Sequence, residues 1–187
     1  MRRELDDGFE LDDDPARVDV AAVHRFISEE SYWAPGRAYE LQERLVREAA
    51  RVVGLYRAGA QIGFCRAVTC FGMPYVYLAD VYVLPVHRGR GLGVELVREM
   101  VEHGPFHDEP WILHTGDAHE LYRRFGFGAP GRRTMVRPPA RDAGVFSDEK
   151  LTTSPAFNEA ARSPCSSSIV VLRSAFMAAT RAARLSM

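Results

Sequence analysis

A glycine-rich loop, HRGRGLG, joins an apolar extended run to a helical pattern and has the composition of an anion-binding site. Its glycines remove the Cβ atoms that would hold a phosphate away, and they permit positive φ values that bring neighbouring amides together. The helical pattern that follows directs free N–H groups and a positive dipole end into the loop. The alternative is a tight strand-to-helix turn with solvated arginines. The residues concerned are Arg88, Gly89, Arg90, Gly91, Leu92 and Gly93.

Two common phosphate motifs do not match this loop. A Walker loop requires Gly-Lys-Ser/Thr after its first glycine and four further residues, and neither the lysine nor the hydroxyl is present. A dinucleotide-binding fold requires GxGxxG, but the last position counted from Gly89 is Val94. The segment WILHT, where its acidic ribose partner would fall, contains no acidic residue.

Asp80 is a second residue that could do chemistry, because it lies in the middle of an otherwise apolar strand pattern. A carboxylate is costly there unless it is paired or functional. Two roles are open: acceptance of a substrate proton, directly or through water, and a buried structural hydrogen bond. Strand alternation predicts that Asp80 points with Leu78 and Tyr82 and away from Val81 and Val83.

The elements that must position these residues follow from periodicity and from turn residues. Helical spacing predicts helices over 19–30, 40–50, 92–103 and 118–125, and alternation predicts strands over 52–57, 61–69, 75–84 and 111–115. Short connections between the first three strands imply antiparallel hairpins. The predicted fold class is α/β (α+β), with a mixed, mostly antiparallel central sheet flanked by helices on both faces.

The spacing Arg88-x-x-Gly91-x-Gly93, after the strand DVYVLP and at the start of a helix, resembles the acetyl-CoA pyrophosphate signature of the GNAT N-acetyltransferase superfamily. The segment TGDAHELYRRFGF is similar to the part of that superfamily that embraces the pantetheine arm. The resemblance extends from about Phe9 to Arg137. It implies acetyl-CoA as the cofactor and a domain over 1–139, with 140–187 as a C-terminal extension.

The resemblance also implies roles for individual residues. The loop would hold the pyrophosphate, and backbone groups near Val81 and Val83 would pair with the pantetheine amides, while Asp117 and Phe125 would contact the cofactor. Tyr122 would face the sulfur and protonate the leaving thiolate, since a phenol pKa of about 10 lies above that of a thiol. The alternative for Tyr122 is a tyrosine that anchors the helix in the core.

The acceptor pocket is expected at the connection between the first two helices. Tyr32 and Trp33 would form a wall for an organic amine or a cation, or else a hydrophobic plug over the sheet. Glu29, with Glu30, is an alternative base near this mouth. His114 and His119 are interpreted as packing or capping residues, and Asp117 with Glu120 as a capping box at the start of the last helix.

Composition and charge limit the remaining possibilities. The net charge of -1 gives no basic face for nucleic acid, no run of about 20 apolar residues could span a membrane, and no cysteine–histidine spacing suggests a metal site. The three cysteines indicate reduced thiols in the cytoplasm. The acidic run between Glu4 and Glu30 is a solvated face or a mouth that attracts a cation. The Ser/Pro-rich extension is a poorly ordered tail or ends in a helix that packs on its own domain or in a homodimer.

Two functions follow as hypotheses. The first is an acetyl-CoA dependent N-acetyltransferase that transfers an acetyl group to a primary amine of a small molecule or peptide by direct attack in a ternary complex. The second is a non-catalytic acyl-CoA binding or regulatory module, in which the loop holds the cofactor but no base exists.

Overall fold

Three long antiparallel strands form the centre of the sheet, as their alternating apolar residues predict. The computed structural model of the chain describes residues 1–69, 74–132 and 134. The central strands are β3 (Arg51–Arg57), β4 (Ala60–Thr69) and β5 (Val76–Val83), each within one residue of its predicted bounds. Ala58 and Gly59 both have positive φ in the two-residue turn between β3 and β4. Such turns match the twist of antiparallel strands and fix the hairpin.

Two short N-terminal strands extend this sheet, and the sequence did not predict them. They are β1 (Arg2–Glu4) and β2 (Phe9–Asp12), and β2 pairs with β3. Glu10 and Asp12 of β2 are buried and pair with Arg17. The prediction of a solvated acidic face is therefore wrong for these two residues.

The helices lie on both faces of the sheet, which confirms the predicted fold class. Helix α1 (Val20–Arg25) continues through a π-helical turn (Phe26–Glu30), helix α2 (Tyr39–Arg47) follows it, and α3 (Leu92–Val101) comes after the glycine-rich loop. The core accordingly has two parts. One contains Leu11, Val53, Leu55, Cys65, Leu78, Val83, Leu96 and Met100 beneath α3; the other contains Val23, Phe26, Ile27, Val46, Val52, Phe64 and Tyr82 beneath α1 and α2.

The last strand and helix are shorter than predicted. Strand β6 comprises only Trp111–Ile112 and pairs in parallel with β5, so the sheet order is β1-β2-β3-β4-β5-β6 with one parallel pair. Helix α4 comprises His119–Arg123, and Gly126 follows with a φ of 80°. A left-handed glycine shortly after a helix is a common terminator.

Some predictions fall outside the described part of the chain or concern properties beyond its fold. The extension over 140–187 lies outside the described residues, as do Cys70 and Cys165, and the homodimer and the cytoplasmic location stay predictions. Cys65 is buried and free, and burial raises the pKa of its thiol well above the usual range. Within the described ranges, no helix has the length and apolar character to cross a bilayer.

Candidate active site

The glycine-rich loop has an open cradle at the start of α3. Gly89 and Gly91 have φ values of 77° and 78°, and a Cβ atom at either position would meet no atom within 4 Å. Gly91 occupies the N-cap position, and the N–H groups of Leu92 and Gly93 have no acceptor in the part of the chain that the structure describes. Free amides at a helix N-terminus, next to space kept clear of side chains, suit a phosphate group.

Arg88 links this loop to the end of β5. Its Nε donates to the backbone carbonyl of Val83 at 2.9 Å, which fixes the guanidinium beside the strand while the side chain stays exposed. Arg90 is exposed at the rim of the loop. Both arginines can therefore reach an anion bound in the loop.

The outer edge of β5 is unpaired along most of its length. Strand β6 pairs only with Val76 and Tyr77, and no other described strand covers the residues after them on that edge. The N–H of Leu84 bonds to β4 through the Ile62 carbonyl, so the backbone groups of Val83 face the opposite, open edge. This edge has room for an extended chain of amides, and the pairing of Val81 and Val83 with the pantetheine amides stays a prediction.

A β-bulge interrupts β5 beside this open edge. Phe64 pairs with Tyr82 and Arg66 pairs with Ala79, so that two residues of β5, Asp80 and Val81, lie opposite one residue of β4. Asp80 has a φ of 52°, in the left-handed region that non-glycine residues seldom adopt. Such strain is found mainly where the surrounding contacts fix the backbone.

The bulge corrects the predicted direction of Asp80. Leu78 belongs to the core beneath α3, whereas Tyr82 belongs to the core beneath α1 and α2. Leu78 and Tyr82 therefore face opposite sides, because the extra residue shifts the two-residue alternation. Asp80 shares a side with Tyr82 as expected but not with Leu78.

The carboxylate of Asp80 is buried and fully engaged. Its Oδ2 accepts from Arg66 Nε at 2.6 Å and from Arg37 Nη1 at 2.8 Å, and its Oδ1 accepts from Trp33 Nε1 at 3.3 Å. Burial alone would raise the pKa of Asp80, but the charges and hydrogen bonds of Arg66 and Arg37 outweigh it and hold that pKa far below its usual range. A carboxylate that stays ionised so firmly is a weak base at neutral pH.

Tyr32 joins the acceptor loop to the segment before α4. Its hydroxyl accepts from the Gly116 N–H at 2.8 Å and donates to Asp117 at 3.3 Å. The ring of Trp33 packs edge-on against Tyr32, with a centroid distance of 5.1 Å. The structure therefore brings Tyr32, Trp33 and Asp117 together, whereas Glu29 is exposed and shares none of these contacts.

Tyr122 is buried on α4, where its ring lies edge-to-face with Phe127 at 5.8 Å. Burial is the main cause of a pKa of Tyr122 well above its ordinary value, and nearby Cys65, Tyr32 and Asp117 act in the same direction. Its hydroxyl has no hydrogen-bond partner among the residues that the structure describes. The phenol thus keeps its proton at neutral pH and has that proton available to a ligand.

The predicted capping box at α4 is wrong. The hydroxyl of Thr115 accepts the Ala118 N–H at 3.1 Å, while Asp117 turns toward Tyr32. Phe125 is half-buried against the core beneath α3, and the guanidinium of Arg98 lies 5.9 Å from its ring centroid. Asp117 and Phe125 therefore flank Tyr122 along the chain but face different neighbours.

Sequence reasoning missed Arg37 and Arg66. Arg66 lies within the apolar strand segment GFCRAVT, so it is as unusual there as Asp80 is in its own strand. Two opposite charges in neighbouring buried strands indicate an ion pair, and this signal could have identified Arg66. Arg37 lies in a loop, and nothing local distinguishes it from a solvated arginine.

Comparison with known proteins gives consistent similarities. Residues 11–127 match the model of the Acetyltransferase (GNAT) family. A protein of Gibberella zeae named as an acetyltransferase is 27% identical, over 60% of this chain and 75% of its own length. The crystal structure of an acetyltransferase assigned to the GNAT family, from Xanthomonas campestris pv. campestris, has a TM-score of 0.64 at 29% identity, covering 73% of this chain and 96% of that one.

A further similarity concerns the fold alone. A GNAT family acetyltransferase from Brucella melitensis, crystallised in complex with acetyl-CoA, has a TM-score of 0.53 at 19% identity. The match covers 65% of this chain and 83% of that chain.

Proposed function

Because the chain belongs to the GNAT family of acetyltransferases, we propose that it transfers the acetyl group of acetyl-CoA to an amine of a small molecule or peptide. The amine attacks directly, within a ternary complex of protein, cofactor and acceptor. The observation that carries the proposal is a loop with free N–H groups at the end of a strand whose outer edge is unpaired. Acetyl-CoA is the cofactor that these features fit.

The residues present suit both the pyrophosphate and the pantetheine arm of the cofactor. The open cradle at Gly89 and Gly91, with the free amides of the first turn of α3, would hold the pyrophosphate. Arg88 and Arg90 would add charge at its rim. The backbone near Val81 and Val83, which no described strand covers on this edge, would bind the amides of the pantetheine arm as an added strand would, and the Val83 carbonyl would be shared with Arg88.

Bound acetyl-CoA supplies a thioester, an acyl group that is activated toward an amine. A backbone N–H of the open β5 edge would donate to the carbonyl oxygen as negative charge develops on it. Tyr122 would then give its phenolic proton to the departing sulfur. The raised pKa of Tyr122 suits this role, because the hydroxyl remains a proton donor at neutral pH.

Asp80 does not suit the role of general base. Its lowered pKa and its three donors leave it little tendency to take a proton from an amine. We assign it instead to holding Arg37 and Arg66 in place, which is the structural alternative that the sequence left open. Glu29 is exposed. The amine would therefore lose its proton to solvent, without a buried base.

The experiment that tests the proposal measures CoA release with a panel of amines, alongside calorimetric binding of CoA. We expect turnover on at least one amine. For Tyr122→Phe we expect kcat to fall about 100-fold, since general acid catalysis contributes on that order, with CoA affinity nearly unchanged.

Tyr56→Phe is the matched control. Tyr56 is also a buried tyrosine, and its hydroxyl donates to the Arg17 carbonyl at 3.1 Å, away from the loop and the open edge. It should lose some stability and keep its rate. An unchanged rate in Tyr122→Phe would remove Tyr122 from proton transfer, and tight CoA binding without turnover of any amine would support the non-catalytic module.

A further inference from the structure

A cluster of buried polar side chains lies on the α1 and α2 side of the bulge, next to the acceptor loop. It consists of Arg37, Arg66, Asp80, Gln42 and Trp33, which we call the arginine cluster. Arg66 reaches it from β4 opposite Ala79, and Arg37 reaches it from the loop between the first two helices. The cluster therefore adjoins the part of β5 where the acetyl group would be delivered.

The charges of this cluster do not balance. Arg37, Arg66 and Asp80 are 7%, 5% and 7% exposed, so all three charges are almost completely removed from water. Two guanidinium groups face one carboxylate, and no second carboxylate pairs with either arginine within the described residues. One positive charge is thus left without an ion-pair partner, which is unfavourable in a buried position.

Hydrogen-bond donors also exceed acceptors in this cluster. Gln42 is fully buried, and its Oε1 accepts from Arg37 Nη1 at 2.8 Å, while its Nε2 has no acceptor among the described residues. Reversing the amide would set Nε2 against the Arg37 donor, so the assigned orientation is the favourable one. Within the described ranges, the Arg66 side chain donates only through Nε and the Arg37 side chain only through Nη1, and both oxygens of Asp80 already accept.

We propose that the arginine cluster binds a carboxylate of the acceptor, so that the preferred acceptor is an amine that carries a carboxylate, such as an amino acid. This inference rests on the proposed function, because it concerns the acceptor of the same reaction. A single uncompensated charge matches a monoanion, and guanidinium groups bind carboxylates through paired hydrogen bonds. The Nε2 group of Gln42 adds a neutral donor beside them.

The test compares matched acceptors that differ only in this group: amino acids and their carboxamides, each with the same amine. We expect kcat/KM to favour the carboxylate form by about tenfold or more, because hydrogen bonds to charged groups are the stronger ones. The ammonium group of the carboxamide has the lower pKa, so more of the carboxamide is present as free amine at a given pH. This difference favours the carboxamide, and a preference for the carboxylate form therefore cannot result from it.

Arg66→Lys and Arg37→Lys keep the charge but lose the planar guanidinium. In both variants we expect KM for the carboxylate form to rise about fivefold or more while KM for the carboxamide stays nearly constant. Arg51→Lys is the matched control, since Arg51 is buried among carboxylates at the far end of α3. It should lose stability without changing the preference between the two acceptor forms.

A binding measurement on the unaltered protein covers the case in which the variants do not fold. Calorimetric titration of the CoA-loaded protein with N-acetylated amino acids and with their carboxamides should show selective binding of the acids. Selective binding without turnover of any amine would keep the carboxylate site and overturn the transfer reaction. Equal turnover of both acceptor forms, equal or absent binding of both titrants, or an unchanged preference in folded Arg66→Lys would overturn the inference and leave the spare donors to water.

Discussion

Asp80 and Glu99 are both buried carboxylates held by two arginines, yet their surroundings differ. Glu99, on α3, has no exposed surface and pairs with Arg51 at 3.2 Å and with Arg3 at 2.9 Å. Arg51 also pairs with Asp13 at 3.0 Å, and its Nη1 donates to the Glu99 backbone carbonyl at 2.7 Å. Each arginine near Glu99 therefore has a second acidic partner, since Arg3 also pairs with Glu95.

The arginines near Asp80 have no such second partner among the described residues. The Glu99 region is a closed ionic network that ties the N-terminal strands to α3, whereas the Asp80 region retains charge and donors that its own residues do not use. A buried carboxylate with two arginines is thus no sign of function in itself. A candidate binding site is distinguished by the charge and the hydrogen-bond donors that remain once every described protein partner has been assigned.

The largest expected effect comes from neutralising each carboxylate in turn. Asp80→Asn should lower the free energy of unfolding by about 3–5 kcal/mol, because it leaves two buried guanidinium groups without a counter-charge. Glu99→Gln should cost less, since Arg51 keeps Asp13 and Arg3 keeps Glu95. Denaturant unfolding followed by circular dichroism measures both, and an equal or larger loss in Glu99→Gln would contradict the comparison.

Acidification should reduce the difference in unfolding free energy between the unaltered protein and Asp80→Asn. The pKa of Asp80 is lowered from the usual 3.8, so its ionised form stabilises the fold fully above that pH and progressively less below it. The gap in unfolding free energy should therefore be constant from about pH 7 to pH 5 and shrink as the pH falls below about 4. A gap that is unchanged at pH 3 would show that Asp80 does not stabilise through its charge.

The smallest effects are expected from the aromatic ring nitrogens that contact Asp80 and Glu99. Trp33→Phe removes the indole N–H that lies 3.3 Å from Asp80 Oδ1, and it should cost about 0.5–1.5 kcal/mol and raise KM for the acceptor. His103→Gln alters a ring nitrogen that lies 3.1 Å from Glu99 Oε2 on a side chain that is 45% exposed, and it should cost less than about 1 kcal/mol. Only Trp33→Phe should alter the kinetics. A change in KM for His103→Gln would contradict the assignment of function to the Asp80 region alone.

The features that the sequence predicted well are those with local causes. Strands β3 to β5 and helix α3 follow from alternation and helical spacing, and the glycine loop follows from Gly89 and Gly91, whose positive φ values few other residues adopt. The closeness of Tyr32 to Asp117 was not predicted, because it depends on how two distant loops meet.

The features that the sequence missed depend on pairing across the chain. Strand β2, with the sequence FELD, carries two acids that are buried only because Arg17 and β3 cover them. The bulge at Asp80 likewise results from register with β4, and it places Leu78 on the opposite side from Asp80, where strict alternation had predicted the same side. The arginine that completes the Asp80 pair, Arg37, lies 43 residues away along the chain.

The π-helical turn that ends α1 holds one residue more than the placement of Tyr32 and Trp33 requires. Here the Ser31 N–H bonds to the Phe26 carbonyl at 3.0 Å, a closure that holds one residue more than an α-helical turn does. Because this turn holds one extra residue, losing a single residue at the exposed Glu29 or Glu30 would let it close as an ordinary α-helical turn and leave Tyr32 and Trp33 in place. A deletion in the regular part of α1 would instead rotate everything after it by about 100° about the axis.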